Sequence, residues 1–437
     1  WNAIISGYAQ HGHGEEALNC FEQMQSKGLS PNKVTYLSIL KACGLVGALD
    51  KGKEIHGEIE KEEFLKKDVL IGNALVDMYA QCGALARAQG VFDKLLSKNI
   101  VSWTSLISGY VHHEHSEEAL NCYKRLQHDG LSPDAVTFTF LLKACGSIGA
   151  ADKGEEIHAD IVKEGLLKTD ILVANALIDM YAKCGAFQKA EAIFDELLIR
   201  TVVSWTSLIS GYAKVGDFTG SLFKFKQMQG SSTAPNGVTY LSVLWACSHV
   251  NLIEMGISYF DSMRDYGICP EIEHYNCMID LLGRAGDFTR IKDMLSMMLV
   301  EPDLITWLCL LTACLKHGKV ELGKHCFHNA IQIQPNHAAP YVLMSNIYTN
   351  AGLLDCAKAV DALRQKEAAW KKPGQCWIEI EKEVHLFVVG DQSHESYGHL
   401  DHLLRQKSSR LRREGHIPCT DSYAAEWCWK DKILSFV

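Results

Sequence analysis

"VSWTSLISGY" fills residues 101–110 and returns, letter for letter, at 203–212. A near copy, "WNAIISGY", occupies residues 1–8. Trp1, Trp103, Trp205 and Trp307 keep the same step of 102 residues, as do Cys43, Cys145 and Cys247, and Pro31, Pro133 and Pro235. A step shared by Trp, Cys and Pro means duplicated structural units, and repeats govern every later reading of such a chain.

The 102-residue period divides into three. Residues 1–32 form one unit lacking its first three residues, 33–68 a second and 69–99 a third, with lengths of 35, 36 and 31 once the first is completed from its later copies. The triplet returns at 100–134, 135–170 and 171–201, and again, more diverged, at 202–236, 237–271 and 272–303. Each unit reads as two helices. Ala3, Ile4, Ile5 and Tyr8 keep a helical spacing, a His-Gly turn interrupts at 11–14, and Ala17, Leu18, Phe21 and Met24 mark a second amphipathic stretch. Gly28 stands where a helix ends and Pro31 blocks continuation. Helices of about ten to fourteen residues are marginal alone in water. One pair cannot bury its own apolar face, whereas stacked pairs can. The expected fold is therefore all-α, a right-handed superhelical α-solenoid of helix-turn-helix repeats, in which the apolar residues of the decamer are packing.

Composition fits. The 437 residues are 47% hydrophobic and 22% charged, enough for a large core and unlike a disordered chain. No uncharged apolar run reaches the roughly 18 residues of a membrane-spanning helix, so no membrane partner is expected. Because the sequence opens on Trp1 inside a repeat, a fragment is expected, with any transit peptide outside it. Cys20, Cys82, Cys122 and Cys184 fall on apolar helical positions and read as buried free thiols rather than disulfides or metal ligands. "VHHEH" (111–115) could suggest a metal, but it aligns with "AQHGH" in the first unit and reads as a solvated turn.

The alternation of unit lengths, with "VVSWTSLISGYAK", "VTFTFLLKACGSIGAADKGEEIHADIVKEGL" and "NALIDMYAKCGAFQKAEAIFDEL", resembles the PLS-type pentatricopeptide repeat proteins of land-plant organelles. The resemblance covers 1–303 as repeats and continues to about 420. It implies sequence-specific binding of single-stranded organellar RNA, about one base per repeat, in a mitochondrion or chloroplast. The implied contacts are the fifth residue of each unit, early on its first helix, and the last, in the loop to the next unit. The fifth residues are Asn2, Asn73, Asn175 and Asn276, or Thr104, Thr139 and Thr206; the last are Asn32, Asn99, Asp134, Asp170, Thr201, Asn236 and Asp303. Carboxamides and hydroxyls present different donor and acceptor patterns to a base. Asn, Asp and Thr also favour helix caps and turns, so for the last residue alone a capping role stands equally open.

Carried across by resemblance, Asn2 with Asn32 and Asn73 with Asn99 prefer a pyrimidine, Thr104 with Asp134 G, Thr206 with Asn236 A, and Asn276 with Asp303 U. Asn175 with Thr201 is off-pattern and nearest to a pyrimidine. Leu37 and Leu241 cannot hydrogen-bond a base, so their units space rather than read. With the chain running parallel to RNA 5′ to 3′, the expected core is pyrimidine, any, pyrimidine, G, any, pyrimidine, A, any, U. Against a generic phosphate binder stands a net charge of −9, essentially all of it before residue 371, so the binding is expected to be modest and salt-sensitive.

Residues 304–371 read as two further helical pairs of tetratricopeptide character. "KKPGQCWIEI" opens 372–420, where alternation predicts a β-hairpin turning at 381–383, then a polar helix from about 396 to 414. Together these resemble the E1, E2 and E+ extension of editing factors, which implies recruitment of a deaminase in trans through 304–420 for cytidine-to-uridine editing. Such a deaminase needs H-x-E with C-x-x-C around zinc. No C-x-x-C occurs, and His394-Glu395 has no intervening residue, so no enzyme activity, metal or cofactor is expected of this chain. Residues 421–437 are an atypical tail. Two other readings remain: RNA binding in transcript stabilisation or splicing, and a protein-binding tetratricopeptide-like scaffold.

Overall fold

Short sequence repeats become pairs of short helices because each carries its own start and stop signals. In a computed structural model of the chain, residues 1–62 and 68–370 are described in full, and 375–380 and 383–388 by their backbone. Among them lie 23 α-helices, nearly all in pairs. In the first unit Asn2–Gln10 is followed by Gly14–Ser26. Gly28 takes φ +73° just past that helix, and the Leu29 amide reaches back to the Met24 carbonyl. This is the left-handed stop that a residue with a Cβ resists. Ile100–His112 with Ser116–His128, and Val202–Lys214 with Phe218–Gln229, repeat the design one and two periods on. Leu304–His317 with Val320–Ile333, and Ala338–Asn350 with Leu354–Lys366, continue it.

The helices gather into two compact units, one built on Trp1–Cys184 and the other on Gly185–Ile378. Within each, the first helices of successive repeats pack side by side in one layer. The second helices pack against the first helix of their own repeat or of the one that follows. The duplication reaches side-chain geometry. Phe92 meets the edge of Trp103 at 4.5 Å in the first unit, and Phe194 meets Trp205 at 4.7 Å in the second. In the first unit His56 Nδ1 lies 2.9 Å from the Tyr79 hydroxyl, and His158 Nδ1 is at the same distance from Tyr181. Closeness of the first helices depends on small residues. A Cβ on Gly109 would stand 2.4 Å from the Ala80 Cβ of the preceding first helix.

Two expectations need correction. Trp103, Leu106 and Ile107 are buried, but Ile4, Val101 and Val203 are half exposed, so part of the decamer's apolar surface is not packing. A helix in a two-layer stack has one edge with no neighbour. Cys122 is buried, yet Cys20, Cys82 and Cys184 are only half-buried. None of the thirteen described cysteines is joined in a disulfide, and burial pushes Cys43 and Cys122 up to about 12, away from reactive thiolate.

"VHHEH" lies at the end of a first helix and in the turn beyond it. His112–His115 are exposed, and His113 Nε2 is committed to the Ala80 carbonyl at 2.8 Å. Strands Gln375–Ile380 and Glu383–Val388 pair into a two-stranded sheet. The expected turn residues 381–382, the polar helix at 396–414 and His394-Glu395 lie outside the described residues.

Candidate nucleic-acid interface

The last residue of a unit is also the residue that starts the next helix, and its side chain caps that helix. Asn32 Oδ1 accepts the Thr35 amide at 3.1 Å, Asn99 Oδ1 that of Ser102 at 3.0 Å, and Asn236 Oδ1 that of Thr239 at 3.0 Å. Asp134 and Asp303 do the same for Thr137 and Thr306, each at 2.8 Å. Thr201 Oγ1 caps Ser204 at 3.3 Å. The capping role is therefore real, but it uses one side-chain oxygen. In Asn32, Asn99 and Asn236 the amide Nδ2 is left for another partner.

The fifth residue meets that cap. Asn2 Nδ2 donates to Asn32 Oδ1 at 3.1 Å, Asn73 Nδ2 to Asn99 Oδ1 at 3.3 Å, and Asn276 Nδ2 to Asp303 Oδ1 at 3.2 Å. Residues 26 to 30 apart in sequence thus share one hydrogen bond. Where the fifth residue is Thr, the link runs through a third group. Thr104 Oγ1 lies 2.6 Å from Thr137 Oγ1, which donates to Asp134 Oδ1 at 2.6 Å. Thr206 Oγ1 lies 2.7 Å from Thr239 Oγ1, which donates to Asn236 Oδ1 at 2.8 Å.

Exposure divides the pair unequally, contrary to the expectation that both contact the base. Asn32, Asp134 and Asn236 are exposed, and Asn99, Asp170, Thr201 and Asp303 half-buried. Asn2, Thr104 and Thr139 are half-buried, but Asn73, Asn175, Thr206 and Asn276 are buried, Asn276 to 1% exposure. The fifth residue sits between two adjacent first helices, and its polar group is spent partly on the cap. The last residue is thus the more accessible of the two, with the fifth setting its hydrogen-bonding state from behind.

The units carrying Leu37 and Thr139 end differently. Asp68 and Asp170 cap the second residue of the following helix, Leu70 at 2.9 Å and Leu172 at 2.8 Å. Asp68 also forms a short ion pair with Lys33, which holds its carboxyl below the usual range. Thr139 donates to its own helix at the Ala135 carbonyl, 2.8 Å away.

Sequence reasoning missed one row of residues. The second residue of successive units is an exposed aliphatic: Val34, Leu70, Val101, Val136, Leu172 and Val203, between 49% and 65% exposed. Second and fifth residues lie three apart on one helix and so on one face. The signal was present as an apolar residue directly before the cap-bonded position in unit after unit. Glu273 breaks it in the unit 272–303.

The acidity lies elsewhere. The first helices of the nine repeats carry six Lys or Arg against four Asp or Glu. Their second helices carry fourteen against twenty. Asp179 is neutralised by Lys183 at 2.6 Å and Asp280 by Arg284 at 2.9 Å, so the layer holding the candidate residues does not repel a polyanion.

Comparison with known proteins agrees with this architecture. The model of the PPR repeat family matches residues 1–44 and 98–147, and that of the PPR repeat matches 73–100, 173–200, 203–232, 238–268 and 273–301. The E motif matches residues 317–379. A chloroplastic pentatricopeptide repeat-containing protein of Arabidopsis thaliana is 38% identical over 437 residues, covering 96% of this chain and 48% of the relative. Another from that plant, the chloroplastic CRR2, is 36% identical over 443 residues, covering 99% of this chain and 67% of the relative. A mitochondrial relative is 36% identical, with 66% of its length covered. The chain thus spans about half to two thirds of the length of such relatives. Among solved structures, maize PPR10 in complex with an 18-nucleotide psaJ RNA element matches with a TM-score of 0.62 over 84% of this chain and 55% of PPR10. At 19% identity that likeness is one of fold.

Proposed function

The chain is a PLS-class pentatricopeptide repeat protein with an E-type extension, and we propose that it reads single-stranded RNA base by base and directs organellar cytidine-to-uridine editing. The observation that carries the reading is the direct hydrogen bond between fifth and last residues of the same unit, made three times at 3.1–3.3 Å and relayed through a hydroxyl in two more. It joins residues in chemically distinct pairs, Asn–Asn, Asn–Asp, Thr–Asp and Thr–Asn, so each unit offers a different outward pattern of donors and acceptors. The aliphatic row beside it supplies flat apolar contact for base faces, which tolerates any sequence. A uniform peptide-binding groove has no use for such alternation.

Residues 1–303 are the reading array. Residues 304–371 and the segment to 420, which carries the paired strands, are the docking region for a deaminase in trans. Relatives named chloroplastic or mitochondrial support a site of action in one of those organelles. Electrophoretic shift with an RNA carrying pyrimidine, any, pyrimidine, G, any, pyrimidine, A, any, U, against a permuted RNA of equal composition, tests the first claim; equal affinity for both refutes it. Transcriptome sequencing of a plant lacking the gene tests the second. Loss of editing at a site preceded by that core is the expected result, and loss of transcript ends or splicing with editing intact would favour stabilisation or splicing instead.

A further inference from the structure

We propose that the hydroxyl on the third residue of a repeat is a positioning residue for base reading by the repeat before it, and that repeats followed by a residue without this hydroxyl do not read. The inference deepens the proposed function and rests on it. The residues are Thr35, Ser102, Thr137, Ser204, Thr239 and Thr306, all buried with no exposed surface. They are not the pair that would touch a base.

Each hydroxyl stands between the fifth and last residues of the preceding repeat. It donates to the fifth-residue carboxamide at Asn2 Oδ1 (2.7 Å), Asn73 Oδ1 (2.6 Å) and Asn276 Oδ1 (2.6 Å). In the same three places it accepts the backbone amide of Asn32, Asn99 and Asp303 at 3.1–3.2 Å. A carboxamide is pseudo-symmetric, and rotating it by half a turn exchanges donor and acceptor. A hydroxyl hydrogen aimed at Oδ1 fixes one orientation, so Nδ2 must face the oxygen of the last residue. The donor and acceptor pattern left for a base is then single-valued. With Thr at the fifth position the same hydroxyl passes the bond on to Asp134 or Asn236.

After the unit 171–201 the hydroxyl is Ser204, which accepts the Thr201 amide at 3.1 Å. Three third positions lack this hydroxyl. Ile71, Val173 and His274 follow the units 33–68, 135–170 and 237–271. The consequence is visible in the cap backbone. ψ at Asn32, Asn99, Asp134, Asn236 and Asp303 lies within 5° of 180°, whereas ψ at Asp68 and Asp170 is 109° and 108°. That rotation brings the capping oxygen to the second residue's amide, at 2.9 Å for Leu70 and 2.8 Å for Leu172, and leaves the third residue's amide at Val173 only a long 3.4 Å bond to Asp170. His274 restores the cap, since its Nδ1 accepts the Glu271 amide, but its Nε2 is tied to the Gly237 carbonyl, leaving no donor for a fifth residue. The unit 135–170 therefore holds a reading pair by composition, Thr139 with Asp170, that is not assembled as one.

Competition binding by the full chain, with RNAs varied at one nucleotide of the core at a time, tests this. Ser102→Ala is expected to reduce pyrimidine-over-purine discrimination at the third nucleotide about three- to tenfold, with discrimination at the fourth and seventh unchanged. Ser102→Thr is expected to keep it. Val173→Thr, nearly isosteric, is expected to create a preference for G at the fifth nucleotide where the parent has none. Undiminished third-base discrimination in Ser102→Ala overturns the proposal, as does a loss spread equally over all nucleotides, which would mark a merely structural hydroxyl. A parent chain that discriminates at no position refutes base reading itself, a different failure from a parent that reads and a variant that reads as well.

Discussion

Replacing Thr104 by Asn, with nothing else changed, should turn one repeat's preference from G toward U. The unit 272–303 is the template: Asn276 donates to Asp303 at 3.2 Å while Thr306 holds its oxygen at 2.6 Å. The unit 100–134 already has the matching partners, Asp134 and Thr137, around Thr104. Thr104 is half-buried on a helix and bonds the Ile100 carbonyl at 2.8 Å. Asn and Thr have similar helix propensities, so stability should change by less than about 1 kcal/mol. For binding, one hydrogen bond to G is lost and one to U gained. At about 0.5–1.5 kcal/mol each, the swing is roughly 1–3 kcal/mol, or about five- to 150-fold in the G-to-U affinity ratio. Fluorescence anisotropy with two labelled RNAs differing only at the fourth core nucleotide measures that ratio. An unchanged ratio in a variant that melts like the parent would refute the idea that the fifth residue sets the outward pattern.

Val101→Asp combined with Val203→Asp should weaken RNA binding about tenfold without lowering the melting temperature, because both valines are half exposed. Trp103→Ala, at a residue 1% exposed, should cost about 3–5 kcal/mol in thermal or urea unfolding. Gly109→Val should destabilise by about 1–3 kcal/mol on calorimetry, since even a Cβ there meets Ala80 at 2.4 Å. Burial lowers the pKa of His274 in the folded chain, so the unfolded chain takes up a proton first as pH falls. Stability should drop as pH falls below about 6.5. His274→Ser, which leaves a capping hydroxyl, should show a shallower loss in melting temperature between pH 7.5 and 5.5.

The fold was legible because its signals are local. The 102-residue step shows in the letters themselves, and the Gly and Pro stops and the caps Asn32, Asn99 and Asp134, each read within a few residues, fix where helices begin and end. The identities at fifth and last positions were legible for the same reason. What sequence could not reveal was which atoms those residues spend on each other. Asn73 and Asn99 are 26 positions apart, and their bond exists only because neighbouring first helices pack closely enough for Ser102 to reach between them. Nor could periodicity separate Val101, half exposed, from Leu106, buried, since both are apolar on one short helix. Local backbone preference writes the repeat into the chain. Exposure and the orientation of a buried amide belong to the stack, because they depend on distances between helices that no single repeat contains.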